Sequence, residues 1–178
     1  MPNKKKPFVK PKSAAKTSPP DSTRLEGRKA PDFELADDAG NSINLSNLIK
    51  GKNLVLYFYP KDLTPGCTIE ACSFRDNLDA IRATGAQVAG ISGDTTALHE
   101  RFRTKYDLNF PLLSDVGNQV ARKYGVFKKK SLYGREFMGI ERTTFLIGKD
   151  GIVHKVFPKV KVSGHTQEVL AALKEMRG

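Results

Sequence analysis

The sequence predicts an α/β protein with a mixed central sheet, helices on both faces and an N-terminal β-hairpin. Strand patterns alternate with helical patterns along most of the chain, which is typical of a sheet covered by helices. Near the C terminus two strand patterns instead follow each other directly around an Asp-Gly turn, and such a hairpin requires antiparallel pairing. The sheet is therefore expected to contain both parallel and antiparallel strands.

The first half of the chain supplies the hairpin, a buried strand and a helix. Two alternating segments, 33–35 and 42–45, flank a polar turn and predict the N-terminal hairpin. The nearly continuous apolar run at 54–59 predicts a strand that is buried on both faces of the sheet. Apolar residues spaced by three and four predict a helix over 67–83, which Gly85 ends.

The second half repeats the alternation of strand and helix. Its strands are predicted from short apolar runs, and its helices from polar capping residues followed by apolar residues on one face. The predicted elements are a strand at 87–92, a helix at 95–106 capped by Asp94 or Thr95, a strand at 111–114, a helix at 116–124 ended by Gly125, the hairpin strands 143–147 and 152–157, and a helix at 166–176.

Residues 1–25 are expected to form a disordered basic tail. Positions 1–24 hold seven basic side chains and one acidic side chain among many Pro, Ser, Thr and Ala residues, a composition that cannot bury a core. More than half of the formal charge of +11 lies there. We expect a solvated extension, with weak polyanion contact or a nuclear-type basic cluster as alternatives. The Lys- and Pro-rich composition disfavours a cleaved organelle signal.

Residues 26–178 are expected to form one domain. The chain of 178 residues, 39% of them hydrophobic, is long enough to bury a full core. No apolar run approaches the length of a membrane span, and no secretory signal is recognisable. Two cysteines are too few for a secreted disulfide framework, so we expect redox-active thiols in a reducing compartment: the cytoplasm, or the nucleus or an organelle if the host is eukaryotic.

The two cysteines, Cys67 and Cys72, lie where a strand leads into a helix. Free N–H groups and the positive dipole end at a helix N-terminus favour a thiolate. A second thiol within reach suggests that the first is oxidised and then resolved. Thr64 supplies a hydroxyl nearby. Arg142, at the start of a strand that could lie beside 54–59, is the candidate cation, since catalytic groups collect at strand ends.

The spacing of the cysteines predicts a conformational change. Five residues along an α-helix give a rise of ~7.5 Å and a Cα separation of ~8.5 Å. A disulfide requires Cα atoms within about 7 Å of each other. Formation of a bond between Cys67 and Cys72 is therefore expected to unwind the first turns of the helix.

These residues also carry a family resemblance. The pattern Pro60-x-x-x-Thr64-x-x-Cys67 resembles the active-site signature of the peroxiredoxins. The Cys-x-x-x-x-Cys spacing resembles the peroxiredoxin Q, or bacterioferritin comigratory protein, subfamily, and Arg142 matches that family's strand-borne arginine. The similarity extends over residues 26–178 and leaves out only the basic tail.

The resemblance implies a thioredoxin-like fold and a thiol peroxidase. Cys67 would be the peroxidatic thiolate that attacks hydrogen peroxide or an organic hydroperoxide, and Cys72 would resolve its sulfenic acid as an intramolecular disulfide. Thr64 would hydrogen-bond the thiolate and the peroxide, and Arg142 would stabilise the thiolate and the departing oxygen. Pro60 would shield the pocket from water.

The resemblance further implies that the sulfur does the chemistry without a metal, haem or flavin. Thioredoxin or a similar dithiol protein would reduce the disulfide. Because the disulfide is intramolecular and the chain has little room for a C-terminal arm, we expect a monomer, with relative resistance to over-oxidation. No membrane partner is expected, and nucleic-acid contact is expected at most through the tail.

Three other functions would require different sequence features. A thioredoxin-like disulfide oxidoreductase would have Cys-x-x-Cys, commonly after a Trp, and this chain has neither. A metal site built from the cysteines and His99, His154 or His165 would also require a closer ligand spacing. A non-enzymatic basic chaperone or nucleic-acid-binding protein would bind its partner in a salt-sensitive way without Cys67. Glu70 is expected to cap the helix or to form a salt bridge.

Overall fold

The structure is a computed structural model that describes residues 21–176. Within this range the main-chain hydrogen bonds define strands and helices that alternate through most of the chain. The strands are β1 (Glu34–Asp37), β2 (Ser42–Asn44), β3 (Asn53–Phe58), β4 (Ala86–Ser92), β5 (Leu112–Ser114), β6 (Phe127–Leu132), β7 (Arg135–Ile140), β8 (Thr143–Ile147) and β9 (Val153–Phe157). The helices are α1 (Leu45–Leu48), α2 (Pro65–Asp76), α3 (Leu78–Ala83), α4 (Thr96–Tyr106), α5 (Gln119–Lys123) and α6 (His165–Met176).

Seven of these strands form one mixed sheet in the order β2-β1-β5-β4-β3-β8-β9. The central strands β3, β4 and β5 are parallel, and the flanking pairs β1–β2, β1–β5, β3–β8 and β8–β9 are antiparallel. The prediction of a mixed sheet with an N-terminal hairpin is confirmed. The antiparallel pairing of β3 with β8 matters most for the site, because it places the start of β8 beside the end of β3.

Strand β3 divides the core into two layers. Its alternate side chains point to opposite faces of the sheet, as the pleat requires. Leu54, Leu56 and Phe58 pack in the layer that contains α1 and α5 residues. The intervening β3 side chains and Tyr59 pack against α2, α3, α4 and α6 in the other layer, together with Cys67. Helices therefore cover both faces, and the cysteine helix lies on the second.

The helix predicted over 67–83 is two helices in the structure. Helix α2 starts earlier, at Pro65, and ends at Asp76, where Asn77 separates it from α3. The Asn77 side-chain amide donates to the carbonyl of Ser73 at 2.8 Å, a local bond that competes with the continuing helix. The single-helix prediction is wrong at this point, because the apolar spacing runs through the break.

The helix predicted over 116–124 is shorter than expected. Gly117 and Asn118 both have left-handed backbone conformations, with φ of 88° and 58°, so that the segment before α5 is a turn. The backbone N–H groups of Val120 and Ala121 donate to the buried carboxyl of Asp115, which caps this turn. The start of α5 therefore depends on a side chain that precedes the predicted helix.

Strands β6 and β7 form a separate two-stranded sheet that the sequence did not predict. Tyr133 and Gly134 join them with φ of 50° and 75°, as a two-residue hairpin turn with positive φ at both positions requires. Most of its side chains, including those in the basic run 128–130, are exposed or half-buried, so no apolar alternation marks these strands.

Most of the predicted tail, residues 1–20, lies outside the described residues. Residues 22–25 differ from the expected disorder: they form a short 3-10 helix, capped by Asp21, in which Ser22 is fully buried. The next residue but one, Gly27, donates to the carbonyl of Val153 in β9 at 2.8 Å. Among the described residues, no helix is long and apolar enough to cross a membrane.

Candidate active site

Cys67 lies in the first turn of α2, two residues after the Pro65 that begins the helix. Its side chain is 1% exposed and packs in the core layer below the helix. Proline is well placed at the start of a helix because its missing N–H would have no acceptor there. The remaining N–H groups of the first turn lack intrahelical acceptors and direct the positive end of the helix dipole toward the sulfur.

Arg142 reaches this sulfur from β8. Thr143, the next residue, pairs with Phe58 at the end of β3, which is the position that the topology predicted. The Nη2 atom of Arg142 donates to Cys67 Sγ at 3.4 Å. A Cβ atom on Gly66 would lie 3.2 Å from the same Nη2, so the glycine permits this close approach. The guanidinium thus supplies positive charge at the thiol.

Glu70 completes the contact. Its Oε2 accepts a hydrogen bond from Arg142 Nη1 at 2.5 Å, and its side chain is 1% exposed. The spacing of three residues places Glu70 on the same helix face as Cys67. The expected salt bridge is therefore present, but its partner lies 72 residues away, where no local pattern could show it. The sequence predicts no catalytic role for Glu70, and the structure places it in contact with Arg142, a member of the predicted catalytic set.

Burial and charge act against each other in this pair. Burial raises the pKa of Glu70 from 4.5 to about 7, although the neighbouring Arg142 acts in the opposite direction. Burial alone would lower the pKa of Arg142, but the Glu70 carboxyl and the Cys67 sulfur outweigh it and the pKa is raised. Among the described residues, Glu70 Oε1 has no hydrogen-bond partner. The arginine thus stays charged while Glu70 can change its protonation near neutral pH.

Cys72 occupies the same helix, further from its N-terminus. Both thiols are free, Cys67 buried and Cys72 partly buried. Because α2 runs without a break from Pro65 to Asp76, the two Cα atoms are separated by the helical ~8.5 Å. The structure therefore holds the cysteines in one helix without a bond between them.

A profile of the AhpC/TSA family matches residues 27–156, which include this helix and Arg142. The chain belongs to that family. It is 49% identical over 150 residues to peroxiredoxin Bcp of Bacillus subtilis, covering 84% of this chain and 95% of the relative. It is 45% identical over 149 residues to peroxiredoxin Bcp of Escherichia coli, covering 84% and 95%.

Solved structures agree with these relatives. Peroxiredoxin Q of Xanthomonas campestris superposes with a TM-score of 0.77 at 41% identity and covers 82% of this chain and 92% of its own. Peroxidoxin BcpB of Mycobacterium tuberculosis has a TM-score of 0.78 at 37% identity, with coverages of 86% and 99%. The chain is thus a peroxiredoxin of the Q/Bcp subfamily with a thioredoxin-like fold, a thiol peroxidase that uses a peroxide substrate and a thiol reductant.

Two predicted site residues of this peroxiredoxin, Thr64 and Pro60, form no hydrogen bond to the sulfur in the described part of the chain. The Thr64 hydroxyl donates to the carbonyl of Lys61 at 2.9 Å, and Thr64 precedes the helix as its N-cap residue without a side-chain capping bond. Its own carbonyl accepts from the backbone and the hydroxyl of Thr68. Pro60 follows β3 and is exposed. In this conformation both residues shape the loop before Cys67.

The histidines of the peroxiredoxin lie apart from its cysteines. His165 hydrogen-bonds Thr144, His154 lies near Asp150, and His99 hydrogen-bonds Asp62. In residues 21–176, one group of three metal-type side chains has ligand atoms within 4.8 Å of one another, Asp62, Asp94 and His99, and it contains no cysteine. Its His99 and Asp62 atoms are only 2.6 Å apart and share a hydrogen bond, which leaves no space for an ion between them.

Proposed function

We propose that this peroxiredoxin reduces hydrogen peroxide and organic hydroperoxides through Cys67, forms a Cys67–Cys72 disulfide, and is recycled by thioredoxin or a similar dithiol protein. The contact between Arg142 and Cys67 Sγ at 3.4 Å carries the proposal. It joins the thiol, the helix N-terminus and a partly buried cation at one point. These are the features that favour a reactive thiolate.

In the first step the Cys67 thiolate attacks one oxygen of the peroxide. The S–O bond forms as the O–O bond breaks, so that sulfur is oxidised to a sulfenic acid and the peroxide is reduced to an alcohol or water. The leaving oxygen departs with the electron pair of the O–O bond and takes up a proton. Arg142 stabilises the thiolate before the step and the negative oxygen as it leaves. Thr64 and Pro60 serve as the predicted hydroxyl donor and water shield once the peroxide is bound.

In the second step the Cys72 thiol attacks the sulfenic sulfur and releases water, leaving an intramolecular disulfide. Because both cysteines lie in the uninterrupted α2, this step requires the first turns of the helix to unwind. A dithiol protein then transfers two electrons and two protons to the disulfide and becomes a disulfide itself. An intramolecular bond needs no second subunit, which supports a monomer, and exchange with free dithiols fits the cytoplasm.

A thioredoxin-coupled peroxide assay tests this function. Wild type is expected to turn over, whereas Cys67→Ser is expected to lose peroxide consumption completely. Cys72→Ser is expected to form the sulfenic acid once and then to stop in the coupled assay. Retained turnover in Cys67→Ser would refute the assignment, and full turnover in Cys72→Ser would indicate a one-cysteine route with an external thiol.

The rival activities give different results in the same experiment. A disulfide oxidoreductase would reduce a disulfide substrate, such as insulin, without peroxide. A basic chaperone or nucleic-acid-binding protein would keep its salt-sensitive binding in Cys67→Ser. Neither outcome is expected.

A further inference from the structure

A second buried cluster lies under the loop that leads to Cys67. It consists of Tyr59, directly after β3, Asp62 in the loop, and His99 in α4, and we call it the Asp62 cluster. The Tyr59 hydroxyl donates to Asp62 Oδ1 at 2.6 Å, and Asp62 Oδ2 lies 2.6 Å from His99 Nδ1. The Asp62 and His99 side chains are 1% and 0% exposed. A carboxyl so deeply buried is rare unless it has a structural or chemical task.

The hydrogen bonds of the Asp62 cluster fix its protons. His99 Nε2 lies 3.0 Å from the carbonyl of Leu113, which only accepts, so Nε2 carries a hydrogen. One proton must then lie between His99 Nδ1 and Asp62 Oδ2. With the Tyr59 hydroxyl on Oδ1, each polar side-chain atom of the cluster has a partner. The carboxyl is therefore fully satisfied, and removal of one partner would leave a buried polar group without a hydrogen bond.

The main chain of Asp62 is fixed as well. Its N–H donates to Asp94 Oδ2 at 2.8 Å, and the same oxygen accepts from the Ser92 hydroxyl at 2.7 Å. Ser92 ends β4, and Asp94 lies between β4 and α4. The side chain of Asp62 is therefore bound to α4 through His99, and its main-chain N–H is bound to Asp94, which follows β4. Both the side chain and the backbone of this loop residue are fixed.

Strain begins immediately after this fixed point. Leu63 has a φ of 63°, in the left-handed region that a branched side chain rarely adopts. Its side chain is 38% exposed and contributes little packing of its own. Such a conformation persists only when its neighbours determine it. Thr64 and Pro65 follow directly and begin α2, so the strained residue links the Asp62 cluster to the turn that carries Cys67.

We propose that the Asp62 cluster is a positioning device that sets the balance between the helical and the unwound form of the Cys67 segment. The polar atoms of Tyr59, Asp62 and His99 hydrogen-bond within the cluster and to the Leu113 carbonyl rather than to Cys67 Sγ; they hold the strained link that keeps the first turn of α2 formed. The inference rests on the proposed two-cysteine mechanism. When the cluster is weakened, the helical form loses stability relative to the unwound form, in which the disulfide is made.

The same geometry predicts opposite effects on the two chemical steps. The thiolate reacts with peroxide in the helical form, beside Arg142, and the sulfenic acid meets Cys72 in the unwound form. A weakened cluster therefore speeds disulfide formation, while the reaction with peroxide slows only slightly as long as the helical form predominates. A defect in overall folding would instead slow the reaction with peroxide strongly, because it separates Cys67 from Arg142.

Asp62→Ala and Tyr59→Phe test the proposal. Reduced protein is mixed with one equivalent of hydrogen peroxide, quenched in acid at intervals, alkylated and analysed by mass spectrometry, which resolves thiol, sulfenic acid, disulfide and sulfinic acid. Asp62→Ala is expected to raise the rate of disulfide formation about tenfold, and Tyr59→Phe by about threefold, because each leaves buried polar groups unpaired in the helical form. Less sulfinic acid should accumulate in both at excess peroxide. Tyr59→Phe conserves the core volume and provides a folded variant if Asp62→Ala does not fold.

Asp115→Ala is the matched control. Asp115 is also a buried carboxyl that accepts main-chain N–H groups, but it caps the turn before α5, away from the cysteine helix. It is expected to lower the melting temperature and to leave the rate of disulfide formation unchanged. Equal rates in wild type, Tyr59→Phe and Asp115→Ala would overturn the proposal. If wild type forms no Cys67–Cys72 disulfide, the two-cysteine function itself fails. If the disulfide forms at the same rate in wild type and in the cluster variants, only the role of the Asp62 cluster fails.

Discussion

Two buried carboxyl groups, Glu70 and Asp62, lie close to the start of α2, each paired with a basic side chain, and they differ in how fully their hydrogen bonds are satisfied. In the pair beside the sulfur, Glu70 binds Arg142 through one carboxyl oxygen, and its other oxygen has no partner among residues 21–176. In the Asp62 cluster, both carboxyl oxygens have partners. The comparison indicates a division of tasks. The pair that contacts Cys67 adjusts charge at the reaction centre, whereas the cluster before it fixes the backbone.

Arg142→Met gives the largest expected effect. It removes the donor to Cys67 Sγ and the cation that stabilises the leaving oxygen, so the second-order rate constant with hydrogen peroxide is expected to fall roughly 100- to 1,000-fold. Stopped-flow competition with a peroxidase of known rate measures this constant. Arg135→Met, at an exposed position of β7, is the control and should react as wild type. A decrease of less than tenfold in Arg142→Met would show that the guanidinium does not act on the sulfur.

The two pairs also explain how far the sequence could predict the site. The buried strand, the cysteine turn and Arg142 are visible in the sequence because each depends on a local pattern or on strand order. The partners of Glu70 and Asp62 are not visible: they lie 72 and 37 residues away, and only the packed fold brings them together. Glu70 has a weak local signal, its helical spacing from Cys67.

The parts of the fold that the sequence failed to predict also have local physical causes. At the break the Asn77 side chain donates to the Ser73 carbonyl, while the apolar spacing continues through it. The β6–β7 hairpin has most of its side chains in solvent, so the alternation that identifies half-buried strands is missing. Elements that bury one face could be predicted, and elements held by a single capping bond or by main-chain pairing in solvent could not.

Glu70→Gln tests whether the Glu70 carboxyl, which is paired with Arg142, changes its protonation between pH 4.5 and 7. The folded-state pKa of Glu70, about 7, lies above its usual value of 4.5, so between these values the folded protein keeps a proton that the unfolded chain has lost. Wild-type stability is therefore expected to fall as the pH rises from 4.5 to 7, by up to about 3 kcal/mol from this group. Glutamine, which keeps the shape but does not titrate, should abolish that component.

Urea unfolding at several pH values, compared between wild type and Glu70→Gln, isolates the contribution of this group from those of other titrating residues. The difference between the two free energies of unfolding should change with pH between 4.5 and 7 and level off outside that window. A difference that is independent of pH would mean that Glu70 stays ionised throughout, paired with Arg142.

Gly66→Ala tests how closely the guanidinium must approach. The added Cβ would lie 3.2 Å from Arg142 Nη2, so the guanidinium must shift by a few tenths of an ångström. The rate constant with peroxide is expected to fall about tenfold, since displacements of 1 Å in an active site can cost 100-fold. Thermal unfolding should show no comparable loss, because alanine is the better helix former. An unchanged rate constant would mean that the contact tolerates displacement.

Ser73→Ala gives the smallest effect and tests where the unwinding part of α2 ends. The Ser73 hydroxyl lies 2.6 Å from the Thr166 hydroxyl of α6, and the next residue, Phe74, is fully buried. Loss of this half-buried bond is expected to lower the free energy of unfolding by about 1 kcal/mol. Because the bond lies beyond Cys72, the rates with peroxide and of disulfide formation should both stay at wild-type values. Faster disulfide formation in Ser73→Ala would instead extend the unwinding segment past Cys72, into the part of α2 that packs against α6, and the Asp62 cluster would then control only one of its two ends.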